Sequence, residues 1–236
     1  MKKLLMIQPG AFGDIFICAP IAKFYSDRGY KVDWPVTYKF YSTVQGFDYV
    51  TPILLNEDTL DSDWLRSDVM KIIPTIGKYD KVVNLADRGP HSTGQRVGVE
   101  DSEEYKYREA EVPFSEKYTL TWTRNTEKEN ELYDKLIGDE DYVVAAVNSS
   151  HLDTAEVPIS EKRKIIYVTE IQGYDITDWY KVLKNSKAIY AVESSIQCFV
   201  DGAKNHFPQD KFLLKRSSVP NNKPYTTAKN WKLNHF

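Results

Sequence analysis

The residues best placed to do chemistry lie in Pro9-Gly10-Ala11-Phe12-Gly13-Asp14, between an apolar run at residues 4–7 and an apolar stretch of helical length at 15–25. Glycines at a strand-to-helix turn let the backbone bend sharply and approach a ligand, and the free N–H groups of a helix start favour anions. Asp14 falls in the first helical turn, where pattern alone leaves two readings. It is a carboxylate that complements the positive end of the helix dipole, or a general base that takes a proton from a hydroxyl within about 3 Å. Position favours the second, because ligands of an open parallel sheet bind outside the carboxyl ends of its strands. The spacing is neither Gly-x-Gly-x-x-Gly nor Gly-x-x-x-x-Gly-Lys-Ser/Thr, so the usual marks of NAD and ATP binding are missing.

A second turn of the same kind is Glu193-Ser194-Ser195-Ile196-Gln197-Cys198, after the apolar run 188–192 and at the start of another helical pattern. Serine hydroxyls and a helix N-terminus both bind phosphate oxygens, and the same serines also serve as N-caps. Asn148-Ser149-Ser150-His151 closes a third run, and Thr169-Glu170-Ile171-Gln172-Gly173 a fourth. Asp87-Arg88-Gly89-Pro90-His91-Ser92, continuing to Arg96, follows the run 81–86. Loops on rigid strands are where specificity resides. His91, His151, His206 and His235 are scattered, without Cys or carboxylate partners at ligand spacing, which argues against a dedicated zinc site. Asp139-Glu140-Asp141 reads as a solvated turn, and no Gly-x-Ser-x-Gly elbow is present for a hydrolase.

The elements that must hold these turns alternate. Strands are expected at 4–7, 32–36, 50–55 and 81–86, with helices at 15–25, 40–47 and 64–73 between them. The polar stretch 87–122, with the charged run 100–111, reads as loops and lobe-edge structure. A linking helix at 127–137 precedes a second α/β series: strands at 142–147, 165–169, 188–192 and 211–214, helices at 177–183 and 196–203. The expected divisions are 1–124 and 125–218, with a weakly periodic tail at 219–236 packing back on the first lobe.

At 236 residues the chain holds one large domain or two small ones. Its 42% hydrophobic and 28% charged residues are those of a folded protein and exclude disordered or fibrous classes. A net charge of −3 gives no overall attraction for nucleic acid. Cys18 and Cys198 stand in apolar runs and read as two buried thiols, which points to a reducing, cytoplasmic setting. No apolar stretch approaches the ~18 residues that span a bilayer, and the N-terminal run is too short for a signal peptide.

Gly10-Ala11-Phe12-Gly13-Asp14 with Pro20, then Val32-Asp33-Trp34, resembles the opening of the heptosyltransferase-like glycosyltransferases of family 9. Tyr79-Asp80-Lys81-Val82-Val83-Asn84-Leu85 resembles their fourth-strand region, and Glu193-Ser194-Ser195-Ile196-Gln197-Cys198 their Asp-Ser-Gly-x-x-His motif, with Ser195 and Cys198 at the glycine and histidine positions. The resemblance implies a GT-B fold: two Rossmann-like lobes, each a mostly parallel sheet flanked by helices, with an interlobe cleft. It implies an inverting, metal-independent transfer of a sugar from a nucleotide-diphosphate donor to an acceptor hydroxyl, with Asp14 as general base and no further cofactor. By the same resemblance Gly13, Asn148, Ser149, Glu170, Glu193, Ser194 and Ser195 contact the donor, and Phe12, Arg88, His91 and Arg96 the acceptor, a glycan, lipid-linked or other hydroxyl compound. The family's lysine after the strand 142–147 has no clear equivalent; Lys162, Arg163 and Lys164 read either as a substitute source of charge from a shortened loop or as a solvated face. Two alternatives stay open, a virus-type enzyme glycosylating modified DNA, and a non-catalytic module binding a nucleotide sugar or a partner.

Overall fold

The computed structural model describes residues 1–55, 79–86, 102–148, 161–214 and 230–234. The chain divides into two compact units, Met1–Thr123 and Arg124–Phe236. In the first, β1 (Lys2–Ile7), β2 (Tyr30–Thr37), β3 (Val50–Leu55) and β4 (Lys81–Asn84) form a sheet of order β3-β2-β1-β4. Every neighbouring pair is parallel, with Leu4 opposite Val32 on one side and Lys81 on the other. Leu4, Leu5, Met6 and Ile7 are all buried, so β1 is an unbroken apolar run rather than an alternating one. That is the pattern of a central parallel strand covered on both faces. Pro52, which cannot donate to a ladder, sits on the edge strand β3.

Three helices of this unit are described: α1 (Phe12–Ser26), α2 (Tyr38–Gln45) and α3 (Ser102–Glu109). The last corrects the expectation of loops across 87–122, where a 3-10 turn at Phe114–Tyr118 is also present. Glu103, Lys106, Tyr107 and Ala110 are buried, at the i, i+3, i+4, i+7 spacing of one helix face. Two of those four are charged, which disguised the stripe. The Tyr107 hydroxyl donates to the Ile17 carbonyl at 2.9 Å, and the Tyr25 hydroxyl donates to the Ala110 carbonyl, so the C-terminal half of the buried face of α3, with the residue just after the helix, is bonded to α1. The helix expected at 64–73 lies outside the described residues.

In the second unit β5 (Tyr142–Ala146), β6 (Lys164–Tyr167), β7 (Ala188–Ala191), β8 (Asp210–Leu214) and β9 (Lys232–Asn234) form a parallel sheet of order β6-β5-β7-β8-β9. Its described α-helices are α4 (Thr126–Leu136), α5 (Tyr180–Asn185) and α6 (Ser195–Gly202). Asn125 starts α4 by accepting from the Lys128 N–H at 3.1 Å. The single helix expected at 177–183 is a 3-10 turn, Ile176–Trp179, running into α5; Asp175 and Asp178 close its start as a reciprocal capping box. Residues 232–234 of the tail extend the second sheet, where Leu213 pairs with Leu233; the rest of the tail, apart from residues 230 and 231, lies outside the described residues. Among the described residues no helix is long and apolar enough to cross a membrane.

Candidate functional site

The sheet order fixes where a ligand site forms in each unit. In the first, the chain winds outward from β1 through β2 to β3 and then returns to the other side of β1 at β4. The reversal opens a crevice between the carboxyl ends of β1 and β4, the switch point at which open α/β sheets bind ligands. The turn Gln8–Ala11 leaves β1 there and hands the chain to α1. Its geometry differs from the expectation in one respect. Of the described glycines Gly29 and Gly173 have positive φ and Gly10 and Gly13 do not, whereas Ala11 takes φ 65° and ψ 111°. An L-residue adopts that conformation at a cost, so the surrounding bonds must impose it.

Those bonds run through Gln8, which is buried. Its side-chain amide donates to the Gly10 carbonyl at 2.9 Å, and its backbone carbonyl accepts from the Trp34 indole N–H at 2.8 Å. The Thr37 N–H donates to the Pro9 carbonyl at 3.1 Å, pinning the turn to the end of β2. Ala11 is the N-cap of α1 with no side-chain cap bond, and Asp14 stands three residues on, in the first turn. Phe12 packs edge-to-face on Phe40 of α2, with ring centroids 4.7 Å apart.

The partner of Asp14 comes from α3. Lys106 Nζ lies 3.4 Å from Asp14 Oδ1, with the lysine side chain only 5% exposed and the aspartate 21%. The same ammonium donates to Gln8 Oε1 at 2.8 Å and to the Leu85 carbonyl, just beyond β4, at 2.7 Å. One buried cation therefore joins the ends of β1 and β4 to the first turn of α1. Asp14 keeps part of its carboxylate open to solvent, which a group meeting a substrate hydroxyl requires. One turn further along α1, Cys18 is buried and its thiol is pushed up to about 12, burial outweighing the opposing pull of Lys106. It is a packed thiol without nucleophilic character at neutral pH. Lys106, Gln8 and the buried Glu103–Lys117 ion pair beside them were missed by sequence reasoning. The signal for Lys106 and Glu103 was the helical spacing 103, 106, 107, 110.

In the second unit the switch point falls between β5 and β7. Asn148 lies just past the end of β5 and is exposed. Glu193, Ser194 and Ser195 follow β7; the Val192 N–H donates to the Ala146 carbonyl at 2.9 Å, which aligns the two strand ends. Ser194 is the N-cap of α6 in extended conformation, but its hydroxyl makes no capping bond and has no hydrogen-bond partner among the described residues. The serine thus stands at the helix start without serving the cap. Glu170, exposed, lies beyond β6 at the same edge. Lys162, Arg163 and Lys164 do not share it: Lys164 opens β6 opposite Tyr142, the first residue of β5, so the trio is at the amino edge. Arg163 is further occupied by a two-pronged pair with Glu161, both contacts at 2.7 Å. Cys198, expected to be buried, is half-buried, and neither it nor Cys18 forms a disulfide among the described residues. Ser149, Arg88, His91 and Arg96 lie outside the described residues.

No family model and no curated protein sequence matches the chain. Solved structures do. Heptosyltransferase II of E. coli aligns over 90% of this chain and 85% of its own at a TM-score of 0.55 and 11% identity. A family 9 glycosyl transferase from Veillonella parvula aligns over 90% and 80%, at 0.57 and 10% identity. E. coli heptosyltransferase WaaC, solved with ADP-2-deoxy-2-fluoro heptose, aligns over 98% and 92%, at 0.52 and 12% identity.

The chain has the GT-B fold of these heptosyltransferases. The two parallel sheets flanked by helices are its two Rossmann-like units, and β9 extends the second of them. At this level of identity the GT-B likeness concerns backbone architecture, and the chemistry has to be argued from the side chains.

Proposed function

We propose that the protein is a cytoplasmic glycosyltransferase that moves a sugar from a nucleotide-diphosphate donor to an acceptor hydroxyl by a metal-independent, inverting displacement. The observation that carries this reading is Asp14: a partly open carboxylate at the β1/β4 switch point, held by a buried cation in a GT-B chain. Asp14 takes the proton of the acceptor hydroxyl as its oxygen attacks the anomeric carbon. The bond from that carbon to the β-phosphate oxygen breaks, and the nucleoside diphosphate leaves with the electron pair. Attack from the face opposite the leaving group inverts the anomeric centre. The developing phosphate charge is met by N–H groups at the start of α6 and by the Ser194 and Ser195 hydroxyls, while Asn148, Ser149 and Glu193 are assigned to other contacts with the donor. Ser194 suits the role because its hydroxyl is not used as a cap. Glu170 is assigned to the ribose hydroxyls and Gly13 to the donor, and Phe12, Arg88, His91 and Arg96 to the acceptor.

The test is a thermal-shift panel of ADP-heptose and ADP-, UDP-, GDP- and dTDP-sugars, the first because WaaC was solved with an ADP-heptose analogue. A ligand at ~100 times its Kd stabilises by about 2.7 kcal/mol, a clear shift. With the donor in hand, Asp14→Asn is expected to lower kcat by ~10²–10⁴-fold, the usual contribution of a general base. Unchanged transfer by that variant sinks the base assignment, and a shift with nicotinamide dinucleotides alone sinks the transferase reading.

A further inference from the structure

The geometry points to Lys106 as the positioning residue for Asp14, an inference that rests on Asp14 acting as the base. A carboxylate in the first turn of a helix has unpaired backbone N–H groups close at hand and, left alone, turns toward them as a cap. In α1 the N-cap is Ala11, whose side chain cannot cap, and Asp14 Oδ1 lies 3.4 Å from Lys106 Nζ. The ammonium is itself immobile, because two of its donors are engaged by Gln8 Oε1 and the Leu85 carbonyl at 2.8 and 2.7 Å. An ammonium has three donors and no acceptor, so one N–H is taken by neither Gln8 nor Leu85, and Asp14 Oδ1 stands at ion-pair distance from the same nitrogen.

Lys106 therefore draws one carboxylate oxygen toward the strand ends and leaves the other for the acceptor hydroxyl. It also makes the aspartate position depend on α3, an element that contributes no other group to the proposed chemistry. The burial of the lysine supports the assignment. A fully desolvated ammonium is costly unless paired, and a structural peg between Gln8 and Leu85 needs no charge. Asp14 is the carboxylate that stands at ion-pair distance from that charge.

The test combines kinetics with a signal that needs no substrate. Lys106→Met, close in shape and uncharged, is assayed with ADP-heptose or the sugar nucleotide giving the largest thermal shift. Its kcat is expected to fall ~10–100-fold, the scale of a misplaced reacting group, with little change in donor KM. Asp14→Asn/Lys106→Met is expected to be no slower than Asp14→Asn alone, since the lysine acts through the aspartate. Lys106→Arg keeps the charge but presents planar donors to acceptors arranged around a single nitrogen, and is expected to recover less than full kcat. In ¹⁵N-lysine-labelled protein, the ammonium resonance lost in Lys106→Met is expected to shift in Asp14→Asn. Wild-type kcat in Lys106→Met alongside an inactive Asp14→Asn overturns the positioning role and leaves the base in place. So does an ammonium resonance indifferent to Asp14→Asn. Wild-type kcat in Asp14→Asn removes the base assignment instead, and any catalytic role for Lys106 with it.

Discussion

Glu103 and Lys117 form an ion pair whose side chains are 4% and 2% exposed, and Lys117 also lies 5.7 Å from the Phe114 ring centroid. Because α3 bears both Glu103 and Lys106, this pair helps set the height at which Lys106 meets Asp14. Lys117→Met removes the ammonium that faces the buried Glu103 carboxylate. Breaking a buried pair from one side costs about 3–5 kcal/mol. At ~2–4 °C per kcal/mol for a chain of this length, the melting temperature is expected to fall by ~6–20 °C. Replacing both residues with apolar ones of similar size, Glu103→Leu/Lys117→Met, removes both buried charges, and such replacements are neutral or stabilising by ~1–4 kcal/mol. Urea titrations followed by far-UV circular dichroism, on the two singles and the double, close the cycle. A loss below ~1 kcal/mol in Lys117→Met would refute the reasoning, since that is the scale of a solvent-screened surface pair. So would a double variant as damaged as the worse single, because the loss would then come from packing rather than from charge.

Other consequences are open to direct measurement. Ala11→Gly relieves a positive-φ alanine, worth ~1–2 kcal/mol, against the ~0.4–1 kcal/mol that glycine adds to unfolded-chain entropy. A net gain of about 0.5–1 kcal/mol in urea unfolding is expected, and a loss larger than ~1 kcal/mol would mean that the alanine methyl is needed for packing. Glu161 is held down to about 2 chiefly by its bonds from Arg163, against the ordinary 4.5. A depressed carboxylate contributes stability that is complete above the ordinary value and is lost as pH falls toward 2. The stability gap between wild type and Arg163→Met should accordingly be largest above pH ~5 and close by pH ~2; a gap independent of pH excludes the ionic origin. In native protein Cys198, half-buried, is expected to react with a disulfide reagent while Cys18, buried and pushed up to about 12, waits for denaturant. Equal native rates would show α1 opening on the labelling timescale.

The sequence by itself determined the alternation of strands and helices and the place of Asp14 within it. Both are local properties: the run at 4–7 is apolar because β1 is covered on two faces, and the proline and glycine after it end a strand where a helix pattern begins. The same holds for Ser194 and Ser195 after β7. The left-handed residue of the first turn was not legible. Composition marks Gly10 and Gly13 as the flexible positions, but the bonds from Gln8 and Thr37 place the strain on Ala11.

The switch points, too, belong to tertiary structure, because strand order is set by crossovers and not by the strands. Lys106 is the clearest case. It lies in a charged run that reads as solvated surface, since isolated charges belong in water. Only when α3 lies against α1 do Asp14, Gln8 and Leu85 surround it and make burial tolerable. A carboxylate can be found by its position in the chain. The cation that holds it is decided by which distant residues the fold brings within bonding distance.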